Sequence, residues 1–188
     1  IESGSLISAI WTLTAPTLSA SAEKVPFWLS WIEPVMADAV GRARYYMYKE
    51  GKKTKKREFT VEYTNETIRT KGFVRELERS KLLKNIQIDF FPDGFSFYAK
   101  ALGIPITARG TSGTAEGAGD KLFFRFKWLK VGSFSMPEHV LRGIENLAAK
   151  AYVQSGQFST KLTRIIFAQG RVTMSFQKTS DMDIDFLK

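Results

Sequence analysis

The sequence predicts an α+β domain in which a curved antiparallel sheet of about six to seven strands packs against amphipathic helices. Three observations predict it. Residues 86–101 form two alternating runs around a Pro92-Asp93-Gly94 turn, residues 122–131 alternate over a full strand length, and residues 140–151 carry apolar side chains at helical spacing. At 188 residues the chain fits one domain with an appended N-terminal segment and can bury a sizeable core. The expected division is a helical segment and basic loop over 1–58 and an α+β domain over 59–188, together one structural unit.

Along the chain, Leu6, Ile7, Ile10, Trp11 and Leu13 in the Ser-, Ala- and Thr-rich opening fit a short helical stripe. Residues 21–50 place Trp28, Ile32, Val35, Met36, Ala39, Val40, Ala43 and Met47 three and four apart, which predicts an amphipathic helix bent at Pro34. Its Trp-rich start suits either a core or a membrane interface. Gly51 stops that helix, and Lys52, Lys53, Lys55, Lys56 and Arg57 follow as a basic loop, open to a solvated reading or to contact with an anionic surface. Residues 59–63 alternate as a half-buried strand, and Thr64-Asn65-Glu66-Thr67 supplies caps for a helix to about residue 83, interrupted at Gly72.

The hairpin at 86–101 puts Ile86, Ile88 and Phe90 on one face. A polar strand follows over 104–115, a turn over 116–120, and then the strand whose Leu122, Phe124, Phe126 and Trp128 oppose Phe123, Arg125, Lys127 and Leu129. One face of it reads as almost wholly aromatic. Val140, Leu141, Ile144, Leu147, Ala148 and Ala151 define the next helix, 161–178 a second hairpin, and Asp181, Asp183 and Asp185 a short acidic tail.

Several chemistries are excluded. The chain has no cysteine and one histidine, so thiolate metal sites, cysteine nucleophiles and His-rich centres cannot be built, and His139 beside a helix start reads as a surface or structural residue. Gly103, Gly110, Gly113, Gly117 and Gly119 lack the Gly-Lys-Ser/Thr ending of a phosphate loop and read as turns and bends that let a sheet curl. The acidic tail lacks the glycine and terminal glutamate of a calcium loop. No metal, cofactor or catalytic set is expected.

A net charge of +9 points to an anionic partner, and 15 Phe, 4 Trp and 6 Tyr point to a ring-lined core or groove. Nucleic acid is the minority reading, because a strict alternation sets the rings of 124, 126 and 128 opposite Arg125 and Lys127. A lipid suits the same geometry if sheet and helix do not close completely; with a fully packed core the alternative is an interaction module that uses the basic surface and Trp-bearing helix against a protein partner or an anionic membrane. The chain begins at Ile1 rather than Met and so reads as a fragment or processed product, which leaves room upstream for a signal peptide or membrane anchor; no apolar run here is long enough to span a membrane, so the visible chain is expected to be soluble.

The segment from Lys84 through Pro92-Asp93-Gly94, with Leu122-Phe123-Phe124 and Val131-Gly132-Ser133-Phe134-Ser135-Met136-Pro137, resembles bacterial envelope proteins related to the tubular lipid-binding (TULIP-like) superfamily. The resemblance covers about residues 59–178 and leaves out the N-terminal segment and the basic loop. It implies a membrane-anchored, extracytoplasmic, non-catalytic domain that holds a lipid or other hydrophobic small molecule between a long helix and a wrapped sheet. The positions it implies for the ligand are Phe95, Phe97, Phe124, Phe126, Trp128, Leu141 and Ile144.

Overall fold

Apolar periodicity separates into two sheets rather than one. The computed structural model describes residues 27–114, 122–155 and 160–178. The expected opening helix, the glycines at 117 and 119, the turn at 116–120 and the acidic tail lie outside the described residues. A 3-10 turn at Phe27–Leu29 leads into helix α1 (Ile32–Lys52), then strand β1 (Glu58–Thr64) and two short helices, α2 (Thr67–Thr70) and α3 (Phe73–Glu78). Strands β2 (Leu83–Phe91), β3 (Gly94–Ala101), β4 (Ile104–Thr114), β5 (Leu122–Val131) and β6 (Phe134–Ser135) follow as an antiparallel meander. Helix α4 (Glu138–Gln154) then leads to the hairpin of β7 (Thr160–Ala168) and β8 (Arg171–Lys178), whose β8 edge takes β1 to give the order β1-β8-β7.

The fold is therefore α+β with five-stranded and three-stranded antiparallel sheets, eight strands in place of a single sheet of about six to seven. Two helices differ from expectation. Pro34 sits in the first turn of α1, where a missing N–H leaves no hydrogen bond unmade, so it starts the helix instead of bending it. Between α2 and α3, Gly72 takes φ 96°, a left-handed conformation that a continuous helix cannot contain, and the helix expected over 64–83 divides there.

Two apolar clusters form under these elements. One joins Val35, Tyr46 and Met47 of α1 to Tyr63, Ile68, Leu77, Phe90, Val172 and Phe176; the other joins Leu29 and Ile32 to Leu129, Val131 and the Val140, Leu141, Ile144 face of α4. Helix α1 contributes to both, and Trp31 and Phe97 pack against both.

Strand β5 carries a bulge that changes its faces. Arg109 pairs with Trp128 but Gly110 pairs with Phe126, so Lys127 is an extra residue and the alternation changes phase across it. Inward positions are Phe124 and Phe126 before the bulge and Leu129 and Val131 after it, both of the latter buried. Trp128 turns outward and is 43% exposed, which corrects the expectation of one aromatic face through 128. Backbones approach closely beside the bulge. A side-chain carbon at Gly94 (φ 140°) would lie 1.9 Å from the Gly110 carbonyl oxygen, and one at Gly110 would lie 2.5 Å from that of Arg125.

Glu145 of α4, buried, holds the strand there. Its carboxylate accepts from the Phe126 backbone N–H at 2.8 Å and from Arg125 at 2.7 Å, and it also pairs with Arg142. The Phe126 donor lies along β5 beyond the two residues that β6 pairs, so a helix side chain satisfies an otherwise open strand edge. On the opposite side, Asp93 in the β2–β3 turn accepts from Lys127 and from Arg109 at 3.1 Å.

Two predictions follow from these contacts. Glu145→Ala removes the acceptor of a backbone donor and two guanidinium groups and is expected to cost about 2 kcal/mol, read as a lower urea midpoint, with Glu145→Gln costing less. An unchanged midpoint would mean that α4 docks without this contact. The Lys127 ammonium first and the Arg109 guanidinium second hold the Asp93 carboxyl down at about 2. A depressed folded-state pKa contributes stability above the unfolded carboxylate value, and that stability is lost as pH falls toward 2. Carboxyl-carbon NMR titration should therefore find an Asp93 midpoint near 2 that returns to the ordinary aspartate range in Lys127→Ala/Arg109→Ala.

Candidate functional site

The space between the two sheets and α1 is not filled. A cavity of about 250 Å³ lies there. Val40, Ala43 and Met47 of α1 form one wall; Ile88 and Phe90 of β2 with Phe95 and Phe97 of β3 form the second; Leu162, Ile165, Phe167, Val172, Met174 and Phe176 of the β7–β8 hairpin form the third. Ile68, Phe73, Ser112, Phe124, Tyr152 and Thr160 complete the lining. Register explains why these side chains converge: Ile88 faces Phe97 and Phe90 faces Phe95 across β2–β3, while Ile165 faces Met174 and Phe167 faces Val172 across β7–β8. Phe167 touches both Phe90 and Phe95, at centroid distances of 6.4 and 6.2 Å, and so joins the sheets at one margin.

The wall is apolar almost throughout. Arg44 is the charged residue on it, and its guanidinium is directed elsewhere. It donates to the Tyr152 carbonyl at 2.6 Å and the Thr160 carbonyl at 2.7 Å, and it stacks 4.3 Å from the centre of the Tyr152 ring. Tyr152 lies in the last turn of α4, whose carbonyls lack helical donors and favour a cation, so Arg44 closes that helix and ties it to β7. Its aliphatic stem is what an occupant of the cavity would meet. The Tyr152 hydroxyl in turn accepts from the Leu162 backbone N–H at 3.1 Å.

Several lining residues, Phe95, Phe97, Ile165, Phe167 and Met174 among them, are only half-buried although they pack against the core. Apolar cavities of about 150 Å³ in proteins stay dry and admit benzene, so a space of this size and lining favours an apolar molecule over water. A water inside would find few of the two to four polar partners it requires.

Of the positions expected to contact a ligand, Phe95, Phe97 and Phe124 line the cavity. Phe126, Leu141 and Ile144 belong instead to the neighbouring cluster beneath α4, where Leu141 and Ile144 are buried, and Trp128 is on the outer face. The cause is the bulge at Lys127 together with the position of α4, which covers the β5 end of the sheet and leaves the β2–β3 end to the second hairpin. The lining residues from β7 and β8 had a signal in the sequence, the alternation of 161–178, but nothing local to it says which surface that hairpin faces.

Lys52, Lys53, Lys55, Lys56 and Arg57 are all exposed at the end of α1 and in the loop into β1. Lys53 pairs with Glu50, which raises the Lys53 pKa by hydrogen bonding. A second, polar depression of about 870 Å³ adjoins this loop, lined by Glu50, Lys53, Lys56, Glu58, Glu62 and Lys71 among others. Acidic and basic groups alternate around it, so it presents no single sign of charge. Among the described residues no cluster of three His, Asp or Glu could hold a metal, and no helix is long and apolar enough to cross a membrane.

Comparison of the chain with family models and with curated proteins finds no match.

Proposed function

We propose that this protein is a non-catalytic binder of a lipid or other hydrophobic small molecule, carried in the cavity between α1 and the two sheets and employed at the cell envelope. The observation that carries the reading is the apolar cavity itself, whose walls come from α1, from both sheets and from single residues of α2, α3 and α4. Close packing is the rule in protein interiors, and voids larger than a water molecule are few per domain. An apolar space of about 250 Å³, partly open to the surface, offers a lining that an apolar occupant would take out of contact with water. The envelope setting is supported by the resemblance to tubular lipid-binding proteins alone.

The lining also states what kind of ligand fits. With the Arg44 guanidinium engaged at the α4 terminus, the wall has almost no polar group to orient a head group. The portion held inside is therefore a neutral hydrocarbon, an acyl or isoprenoid chain or a ring system, and any polar head stays outside.

Binding of N-phenylnaphthylamine, a neutral probe, tests this. Fluorescence should rise saturably with one site per chain, and Ala43→Phe, which projects a ring into the cavity from α1, should weaken the probe at least about tenfold, the loss expected when a buried ring is excluded. Because it fills a void, Ala43→Phe should leave the unfolding midpoint near that of the wild type. No saturable binding by the wild type, or equal binding by the folded variant, would refute the assignment.

A further inference from the structure

One end of the five-stranded sheet carries apolar side chains that folding does not use. The β3–β4 turn and the β5–β6 turn lie side by side there, joined by the Gly132 N–H donating to the Pro105 carbonyl at 2.7 Å. Leu102 in the first turn is 54% exposed, Ile104 beside it 38%, and Phe134 after the second turn 71%. Large apolar residues exposed singly are ordinary, but three gathered on adjoining turns are not.

The backbone at Leu102 is itself strained. Leu102 has φ 51° and Gly103 has φ 84°, so both central residues of this two-residue turn are left-handed, as a type I′ turn requires. Asn-Gly and Asp-Gly satisfy that requirement best, since a short polar side chain tolerates the left-handed region and a leucine does not. Leucine at this position strains the turn, and its exposed side chain gains little burial in return. A residue that costs stability and contributes no core contact is explained by something outside the folded chain.

Charge at the same end indicates the partner. Lys81, Lys84, Lys100 and Lys130 are exposed and belong to this end: Lys84 pairs with Lys100 across β2–β3, Lys130 with Ser135 across β5–β6, and the Leu102 N–H donates to the carbonyl of Leu82. Among the described residues none of the four has a carboxylate at ion-pair distance, whereas Lys49, Lys53, Lys127 and Lys150 do. Lys84 donates instead to the Glu78 carbonyl oxygen. The carboxylates near them in sequence are engaged elsewhere: Glu78 accepts from the Ile86 backbone N–H at 3.0 Å, Asp93 pairs with Arg109 and Lys127, and Glu138 pairs with Arg142. Projecting apolar turns with a rim of uncompensated lysines match the interface of an anionic bilayer, where hydrocarbon receives the tips and phosphate groups meet the rim. A protein partner would ask for a broader patch, about 800 Å² on this side, than two turns present.

We infer that Leu102, Ile104 and Phe134 insert into the surface of an anionic phospholipid membrane, with Lys81, Lys84, Lys100 and Lys130 on the headgroups. This docking site is separate from the cavity and from the loop at 52–57, and it holds whether or not the cavity carries a ligand. Co-sedimentation of the whole chain with phosphatidylcholine vesicles, with and without phosphatidylserine, tests it. Binding should require phosphatidylserine and weaken with salt. Leu102→Asn should weaken it about tenfold, as expected for losing one inserted leucine, while the thermal midpoint holds or rises because asparagine suits the turn. Lys100→Gln/Lys130→Gln should weaken it about 25-fold at roughly a factor of five per lysine. Four results would overturn the inference: no binding to phosphatidylserine vesicles, wild-type binding by Leu102→Asn, a loss of binding that tracks a lowered midpoint, or binding abolished by neutralising residues 52–57 and untouched by the tip and rim variants alike.

Discussion

The extra residue at Lys127 and the buried carboxylate beneath it set the form of the molecule. Without the bulge, Phe124, Phe126, Trp128 and Lys130 would share one face of β5, and Leu129 and Val131 would face solvent. With it, Leu129 and Val131 meet α4 while Phe124 and Phe126 still face inward, so a single strand serves both the cluster beneath α4 and the wall of the cavity. Glu145 secures the arrangement from the helix side by accepting from the Phe126 N–H and Arg125, and Asp93 secures it from the other by accepting from Lys127 and Arg109. The bulged strand bends, and Gly94 and Gly110 permit the close backbone contact that the bend demands.

That bend determines where the helices and the second sheet can go. Helix α4 occupies the β5 side, and the β7–β8 hairpin crosses the β2, β3 and β4 side with β1 added at its edge. Helix α1 bridges the two regions, packing on α4 and closing the gap between sheets. Arg44 holds this bridge by capping the last turn of α4 and the start of β7. Glu76 fixes the other end, buried on α3 and bonded to Lys49 of α1 at 3.0 Å and to Arg79 at 3.1 Å. Polar contacts thus position the walls from outside, and the space they enclose is left to apolar side chains.

Much of this was legible locally. The turn at Pro92-Asp93-Gly94, the periodicity of α4 and the alternation of 161–178 each report a constraint between near neighbours, and each element formed within a few residues of its expected bounds. Features set by distant partners were not legible. The phase change at Lys127 depends on Gly110, Asp93 and Glu145, none adjacent in sequence, and reading the strand as strictly alternating placed Trp128 inside and Arg125 opposite to it. In the structure Arg109, Arg125, Trp128 and Lys130 share the outer face. The geometric objection to nucleic acid therefore fails at Trp128, although Arg109 and Arg125 there are engaged by Asp93 and Glu145. The cavity was legible only in part. Phe95, Phe97 and Phe124 were anticipated, but α1 and the second hairpin supply most of its lining, and no pattern within a helix or hairpin names the surface it will cover.

The cavity reading can be examined where a packed core and an occupied one differ most. Met47 and Met174 line the space, whereas Met136 is buried in the neighbouring cluster. Methyl NMR of carbon-13-labelled methionine, recorded as decanol is titrated in, reports on all three at once. Met47 and Met174 should shift saturably while Met136 holds its position; methyl positions unchanged throughout, or equal shifts at all three, would contradict binding in the cavity.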